Sequence, residues 1–386
     1  MLKALFFIAL FGILHSYLIF PLLMRLLGLF RKEKTIHDLE STPGIEIVFA
    51  AYNEAAVIEK KIESCFNSNY PAGQISVHVG SDASNDGTDE IIKKLQEKYP
   101  NLKLTRFQGR TGKSQIINSL VAQSNRKHLI LTDANIIFQP DTIPFLMQKM
   151  QSENAGIVGG KIEYTQVNTQ GIARQENLYL RWENKLKQLE SDLFGSTMGV
   201  EGGVYLIQKK LWPGIPPLFF MEDFYISMDV MLRGKPVLFE PKARVYEDVS
   251  VHSTEEYKRK VRISIGNWQN LKAFWKPALL EFWPVGFVFL SHKVLRWLTP
   301  FFLLILLPTS TLLAKSGIFF GLFAGFYMLF IGLGLFGILF SQSNRAGWLK
   351  YPGHFIHMNL ALLEGFSIFI KGVESNVWEP TKRNQK

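Results

Sequence analysis

Three long uncharged stretches bracket a charged middle, and this limits the fold more than any motif does. Residues 4–24 carry no formal charge, and neither do 297–314 or 316–344. A helix needs about 20 apolar residues to cross the hydrocarbon core of a bilayer, so both ends of the chain are suited to a membrane. A secretory signal peptide describes the first stretch poorly: it is long, Pro21 interrupts it, and no small-residue cleavage site follows. A weaker apolar segment, 353–370, carries His354, His357 and Glu364, which burden a spanning helix. Between the two ends, about residues 36–270 have the composition of a water-soluble domain.

Charge narrows the class. The chain has 43 Lys and Arg against 33 Asp and Glu, a formal net charge of +10. The positive-inside rule and attraction to anionic lipid account for such an excess. Nucleic acid is not an expected partner, because the basic residues are scattered and Lys258-Arg259-Lys260 is a single short cluster. Tyr257, Trp268, Trp275 and Trp283 suit a membrane-interface belt. The lone Cys65 excludes an intrachain disulfide and any multi-cysteine zinc site. Arg31, Lys32 and Lys34 follow the first apolar stretch, against Lys3 before it, so the N-terminus is expected outside and the middle domain in the cytosol. Three full C-terminal spans would leave Lys382, Arg383 and Lys386 outside. The segment 353–370 is therefore expected not to span.

The middle alternates strand and helix. Ile45 to Ala50 is a short β-branched apolar run, hence a buried strand. A helix is expected to start at Asn53, with Glu54 in its first turn and Val57, Ile58, Ile62 and Cys65 on its apolar face. Ile75 to Val79 is a second strand, and Thr88 opens a helix through Leu95. Leu102 to Phe107 is a third strand, Lys113 to Ala122 a helix, and His128 to Thr132 a fourth strand ending at Asp133. That order implies a mostly parallel sheet with helices on both faces. Ligands of such sheets sit at the carboxyl ends of strands. Those ends carry Tyr52-Asn53-Glu54, Asp82, the loop Gly109 to Lys113, and Asp133.

Several of these groups can do chemistry. Ser81 to Thr88 is rich in turn formers, and Ser84, Asn85 and Gly87 read as a solvated turn. Asp82 differs, because it leaves the strand toward the shared edge, where it can accept hydrogen bonds from a base or a ribose. Gly109-Arg110-Thr111-Gly112-Lys113-Ser114 is not an NTPase phosphate loop, because the position of its first glycine is Phe107. Lys113 can still meet a phosphate as a point charge. Asp133 and Asn135 can face one ion across an extended turn, and Mg²⁺ and Mn²⁺ favour such oxygen ligands; a plain strand-end turn is the alternative. Glu222-Asp223 opens a helix after a proline-rich approach. The pair is either a helix cap or a base, and a base must be ionised and within hydrogen-bond reach of its proton. Arg262 lies on an amphipathic helix spanning about Arg259 to Asn270, where it can clamp a diphosphate, while Lys258 and Lys260 can equally face lipid headgroups.

Taken in order, Ala51-Tyr52-Asn53-Glu54, Ser81-Asp82 to Gly87-Thr88, Gly112-Lys113, Thr132-Asp133-Ala134-Asn135, Glu222-Asp223 and Arg262 resemble the membrane-bound family-2 glycosyltransferases. This inverting group includes cellulose, hyaluronan and poly-N-acetylglucosamine synthases. The resemblance covers about residues 44–300 and implies a GT-A fold, Rossmann-like, with a mostly parallel sheet. It implies that Ala51, Tyr52, Asn53, Glu54, Asp82 and Lys113 form the nucleotide pocket. Asp133 and Asn135 would hold Mg²⁺ or Mn²⁺ and the diphosphate. Asp223 would be the base, with Glu222 beside it and Arg262 assisting. The stretch Gly199 to Tyr205 would shape the acceptor side. Two departures stand out. Asn135 occupies the place of the family's second metal-motif aspartate. Arg259-Lys260-Val261-Arg262-Ile263 keeps the arginine of the processive Gln-x-x-Arg-Trp motif but not its Gln or Trp.

The expected organisation is an N-terminal transmembrane helix (1–30), a cytosolic α/β GT-A domain (36–255), amphipathic interface helices (256–293) and a C-terminal transmembrane region (294–375). The expected partners are a nucleotide-sugar donor (a UDP-sugar foremost), a lipid-linked or surface-glycan hydroxyl acceptor, and the lipids of the cell inner membrane. A processive polysaccharide synthase is the alternative within the class. A degenerate nucleotide-sugar-binding or scaffold protein is the alternative outside it.

Overall fold

The computed structural model describes residues 1–31, 39–165, 172–248, 253–339 and 350–376. Lys32 and Lys34, and the tail residues Lys382, Arg383 and Lys386, lie outside them. The chain opens on α1 (Leu2–Leu14) and α2 (Phe20–Leu27). It continues through β1 (Ile45–Ala51), α3 (Ile58–Phe66), β2 (Ile75–Ser81), α4 (Thr88–Lys98), β3 (Leu102–Arg106), α5 (Lys113–Gln123) and β4 (His128–Thr132). Next come β5 (Ile137–Phe138), α6 (Thr142–Ser152), β6 (Ile157–Thr165), α7 (Ile172–Phe194), β7 (Val204–Gln208), α8 (Glu222–Leu232) and β8 (Val237–Asp248). The helices α9 (Ser253–Leu280), α10 (Leu295–Trp297), α11 (Thr299–Leu313), α12 (Ile318–Leu339) and α13 (Lys350–Lys371) follow.

Two compact units result. One holds residues 27–169, 173–251 and 373–386; the other holds 1–26, 170–172 and 252–372. The first is built on an eight-stranded sheet of order β3-β2-β1-β4-β7-β6-β8-β5. The pairs β3–β2, β2–β1 and β1–β4 are parallel, as the strand-helix alternation requires. β7 then runs antiparallel to β4, with Thr132 opposite Val204, and β6 antiparallel to β7. β8 runs parallel to β6, and short β5 closes the edge antiparallel to β8. The sheet is thus mixed in its second half. Because β7 is reversed, its first residue lies at the edge where β4 ends, which brings the Gly199 to Gly203 approach to the carboxyl ends of the parallel strands. Ile47, Phe49, Ile62, Val77, Val79, Ile92, Ile130 and Leu146 are fully buried and form one core.

One boundary differs from the sequence expectation. The first helix of this unit begins at Ile58, not Asn53. Asn53 adopts φ 51°, outside the helical range. Its N–H donates to Ser84 Oγ (3.1 Å) and its Oδ1 accepts from the Asn85 N–H (2.9 Å). Bonds to the next loop override the local helix signal. Ser84 and Asn85, expected to belong to a solvated turn, are the other half of that seam.

Four stretches, all but the end of the first lying in the second unit, are long and apolar enough to cross a membrane: Leu2–Phe30, Thr299–Ser316, Ile318–Leu339 and Tyr351–Lys371. Gly12 on α1 packs directly against the Phe302 ring on α11. α13 packs on α9: Tyr257 Oη donates to Glu364 Oε2 (2.6 Å), Ser264 Oγ donates to the Leu362 carbonyl (2.7 Å), and Gly365 leaves no room for a side chain against Val261 and Ser264.

Candidate active site

The strand ends carry the polar groups, and loop-to-loop bonds arrange them. The Asn53 to Ala55 backbone is sewn to the β2–α4 loop. The Glu54 N–H donates to Thr88 Oγ1 (2.9 Å) and the Ala55 N–H to Asp86 Oδ2 (3.0 Å). Burial alone would raise the Asp86 carboxyl, but the bonds from Thr88 and the Ala55 backbone hold it below its ordinary range.

Asp82 is completely buried at the end of β2. It accepts from the backbone N–H of Thr111 (2.5 Å) and of Gly112 (3.3 Å), and from Arg110 Nε (3.2 Å). In this structure its oxygens therefore organise the Gly109 to Lys113 loop. Gly112 sits at φ 87°, a conformation that favours glycine, and immediately precedes α5. The Arg110 guanidinium lies 3.3 Å from the centre of the Tyr52 ring. Tyr52, Arg110 and Asp82 thus form one continuous wall.

Lys113, at the start of α5, joins two acids from distant parts of the chain. Its Nζ lies 2.8 Å from Asp133 Oδ1 and 2.6 Å from Glu222 Oε1. Burial opposes its charge, but the two carboxylates hold the Lys113 ammonium well above its ordinary range. Glu222 and Asp223 open α8 after Met221, which adopts φ 54°. The Asp223 carboxyl is pushed up to about 6, first by burial and then by Glu222, while Lys113, the Phe224 N–H and Lys187 pull the other way. A side chain at Gly202 would stand 3.4 Å from Asp223 Oδ2, so the missing side chain leaves space beside this carboxylate.

The turn bearing Asp133 and Asn135 is held from beneath by Lys61, a residue to which the sequence alone gave no role. Lys61 is fully buried on α3. Its Nζ donates to Thr132 Oγ1 (2.9 Å) and to the Ile136 carbonyl (2.6 Å), one bond at each end of the turn. It lies 4.1 Å from the centre of the Phe138 ring. Burial pulls the Lys61 ammonium down to about 8, opposed by Cys65 and Asp133. The sequence did hold a signal: Lys61 falls on the apolar stripe of Ile58, Ile62 and Cys65. Lys187 on α7 was missed too; its Nζ is 2.6 Å from Glu201 Oε1, and its charge acts on Asp223.

Asn135 Nδ2 donates to Glu247 Oε1 at 3.2 Å. Among the described residues, no group of three or more His, Cys, Asp or Glu could hold a metal alone. Asp133 and Asn135 still fit a hard divalent cation, since both offer oxygen and a donor diphosphate commonly supplies further ligands. The Asp133 side chain is 39% exposed, so it is accessible to such a ligand. Of the residues expected at the site, Asp82, Lys113, Asp133, Asn135, Glu222 and Asp223, with Ala51 to Glu54, all fall in the sheet-based unit. Arg262 lies on α9, in the other unit.

A lysine joining two carboxylates at a sheet edge occurs in several enzyme classes. Residues 46–210 match Glycosyl transferase family 2. The chain carries a family-2 glycosyltransferase domain. The transferase is 24% identical over 360 residues to "Probable glycosyltransferase YdaM" of Bacillus subtilis (strain 168), covering 90% of this chain and 78% of that one. It is 24% identical over 282 residues to the poly-beta-1,6-N-acetyl-D-glucosamine synthase of Staphylococcus epidermidis, covering 69% and 67%. Against the beta-monoglucosyldiacylglycerol synthase of Trichormus variabilis it is 32% identical over 120 residues, 31% of this chain and about a quarter (26%) of that relative's length. Among solved structures, the mannosyltransferase PcManGT from Pyrobaculum calidifontis, in complex with GDP-Man and Mn²⁺, superposes with TM-score 0.72 at 17% identity, over 96% of this chain and 99% of that one. That likeness establishes the fold, which is GT-A.

Proposed function

We propose that this transferase moves a sugar, with inversion, from a nucleotide diphosphate sugar to a hydroxyl of a membrane-associated acceptor, a lipid-linked or surface glycan. A UDP-sugar is the favoured donor, and a GDP-sugar the second. The observation that carries this reading is Lys113, which holds Asp133 and Glu222 together next to Asp223 at the strand ends. A cation at charge-bearing phosphates and a base at the acceptor are what such a transfer needs. Asp223 takes the acceptor proton as the oxygen attacks the anomeric carbon, and its raised carboxyl is still ionised at neutral pH. Lys113 neutralises the departing diphosphate. Asp133 and Asn135 would hold Mg²⁺ or Mn²⁺, whose charge offsets that of the leaving group. Tyr52 and Arg110 form the wall against which the nucleoside lies, and Asp82 holds the Gly109 to Lys113 loop from behind. Arg262 as a diphosphate clamp rests on the sequence resemblance alone.

The catalytic unit is proposed to face the cytosol. Asn376, beyond the last helix, donates from Nδ2 to Ser114 Oγ at 3.3 Å, in the first turn of α5. A tail bonded to the catalytic unit lies on the same side of the membrane. An even number of crossings after the catalytic domain fits this reading, with α13, whose Glu364 accepts from Tyr257, proposed as the helix that does not cross. UDP or GDP release from purified protein in lipid nanodiscs, across a panel of donors and acceptors, tests the activity. No release with any donor, together with no nucleotide binding, would overturn it. The similarity to a poly-N-acetylglucosamine synthase keeps processive synthesis as the second reading, and product length separates the two.

A further inference from the structure

Asn135 stands where the family resemblance calls for an aspartate, and its surroundings explain why. The contact with Glu247 is set by strand pairing. β5 begins two residues after Asn135, and its Ile137 pairs with Tyr246 on β8, so Glu247 is carried to the Asn135 side chain. Glu247 is itself fixed in the ladder, paired with Tyr164 on β6, and its carbonyl accepts from Thr165 Oγ1 at 3.5 Å. An ionised carboxylate only accepts hydrogen bonds, whereas an amide presents donors on one side and an acceptor on the other. With Nδ2 committed to Glu247 at 3.2 Å, the Asn135 Oδ1 is turned away from that carboxylate. A carboxylate at 135 would instead set two acceptors against each other with no hydrogen to share.

We infer that Glu247 is a positioning residue of the donor site: it orients the Asn135 amide so that Oδ1 is presented to the divalent cation, and it is the reason an amide stands at 135. This rests on the reading of Asp133 and Asn135 as cation ligands. Glu247 acts through Asn135. Partners outside the ligand set commonly tune metal affinity by about 10- to 100-fold.

The test is a double-mutant cycle on the full chain in nanodiscs, using Asn135→Asp, Glu247→Gln and the double variant. One readout is Mn²⁺ affinity with UDP or GDP present, from the electron paramagnetic resonance of free Mn²⁺. The other is the thermal midpoint without metal. Asn135→Asp alone is expected to lower the midpoint, because two carboxylates then face each other across 135 and 247. The double variant is expected to recover the midpoint, because the amide introduced at 247 donates to the carboxylate introduced at 135. Equal effects of Asn135→Asp in the parent and in the Glu247→Gln background would overturn the inference while leaving the cation reading intact. Absence of Mn²⁺ binding by the parent chain would overturn the cation reading and this inference with it. Should Asn135→Asp not fold, Glu247→Ala decides: a loss of about tenfold in Mn²⁺ affinity supports the inference, and unchanged affinity defeats it.

Discussion

In the catalytic unit Ile47, Phe49, Val77 and Ile130 are sealed inside, whereas in the helical unit Ile8, Phe11, Phe326 and Leu339 face outward, the last 79% exposed. The groups hidden in the helical unit include Ser16, His292, Arg296, Thr309 and Ser310. Arg296 Nε donates to the Ser16 carbonyl at 3.4 Å, and His15 Nε2 pairs with Ser291 Oγ at 3.0 Å. Water around one unit and hydrocarbon around the other explain the contrast. Where the surroundings are apolar, an exposed phenylalanine costs nothing, and a polar group exposed to the bilayer centre is strongly disfavoured. The catalytic unit also buries charges, but there each named one serves the site. Lys61 braces a turn and Asp82 orders a loop, next to the partly exposed Lys113 that gathers two acids.

The sharpest way to test this division is at the base. Asp223→Asn is expected to lower sugar transfer by about 10²- to 10⁴-fold while nucleotide affinity, measured by calorimetry, stays near that of the parent. Glu222→Gln should be milder. If Asp223→Asn transfers sugar at the parent rate and Glu222→Gln is inactive, the two roles are exchanged.

A core substitution should damage the water-soluble unit and not membrane insertion. Phe49→Ala is expected to cost about 3–5 kcal/mol of stability, read as a lowered denaturation midpoint with normal membrane integration. A charged substitution on the outward face of α12 should do the reverse. At Phe326, 75% exposed, Phe326→Lys is expected to cost about 2.5–3.5 kcal/mol of insertion free energy near the helix centre. A glycosylation-tag insertion assay would show it, and unchanged insertion would mean that α12 does not face lipid.

The smallest effect is the dependence on pH. With the Asp223 carboxyl pushed up to about 6, kcat/KM should fall about tenfold per pH unit below that point and level off above it. The stability contribution has the opposite sense. A folded carboxyl raised above its unfolded value of 3.8 binds its proton more tightly in the fold, so this group favours folding at low pH. That contribution is lost as pH rises through about 6. A flat activity profile from about pH 5 to 8 would remove Asp223 from the base role.

Much of the parallel half-sheet was legible because its signals are local. His128 to Thr132 and the start of α5 at Lys113 follow from apolar runs and a preceding glycine. The same reasoning misplaced the start of α3, since Asn53 obeys bonds from Ser84 and Asn85 that no local window contains. It placed Asp82, Lys113, Asp133 and Glu222 at candidate sites but could not show that one ammonium bridges two of them. Lys61 was visible as a charge on an apolar stripe, and only the folded chain gives it a purpose.

By itself the sequence determined the apolar ends, the strand–helix alternation and the set of polar residues left at strand ends, all consequences of periodicity within a few turns of chain. The tertiary structure decided that β7 returns antiparallel, that Lys113 meets Glu222, and that Asn135 meets Glu247. Those pairings depend on strand order and register, which are set by the packing of the whole sheet rather than by any residue's neighbours in sequence.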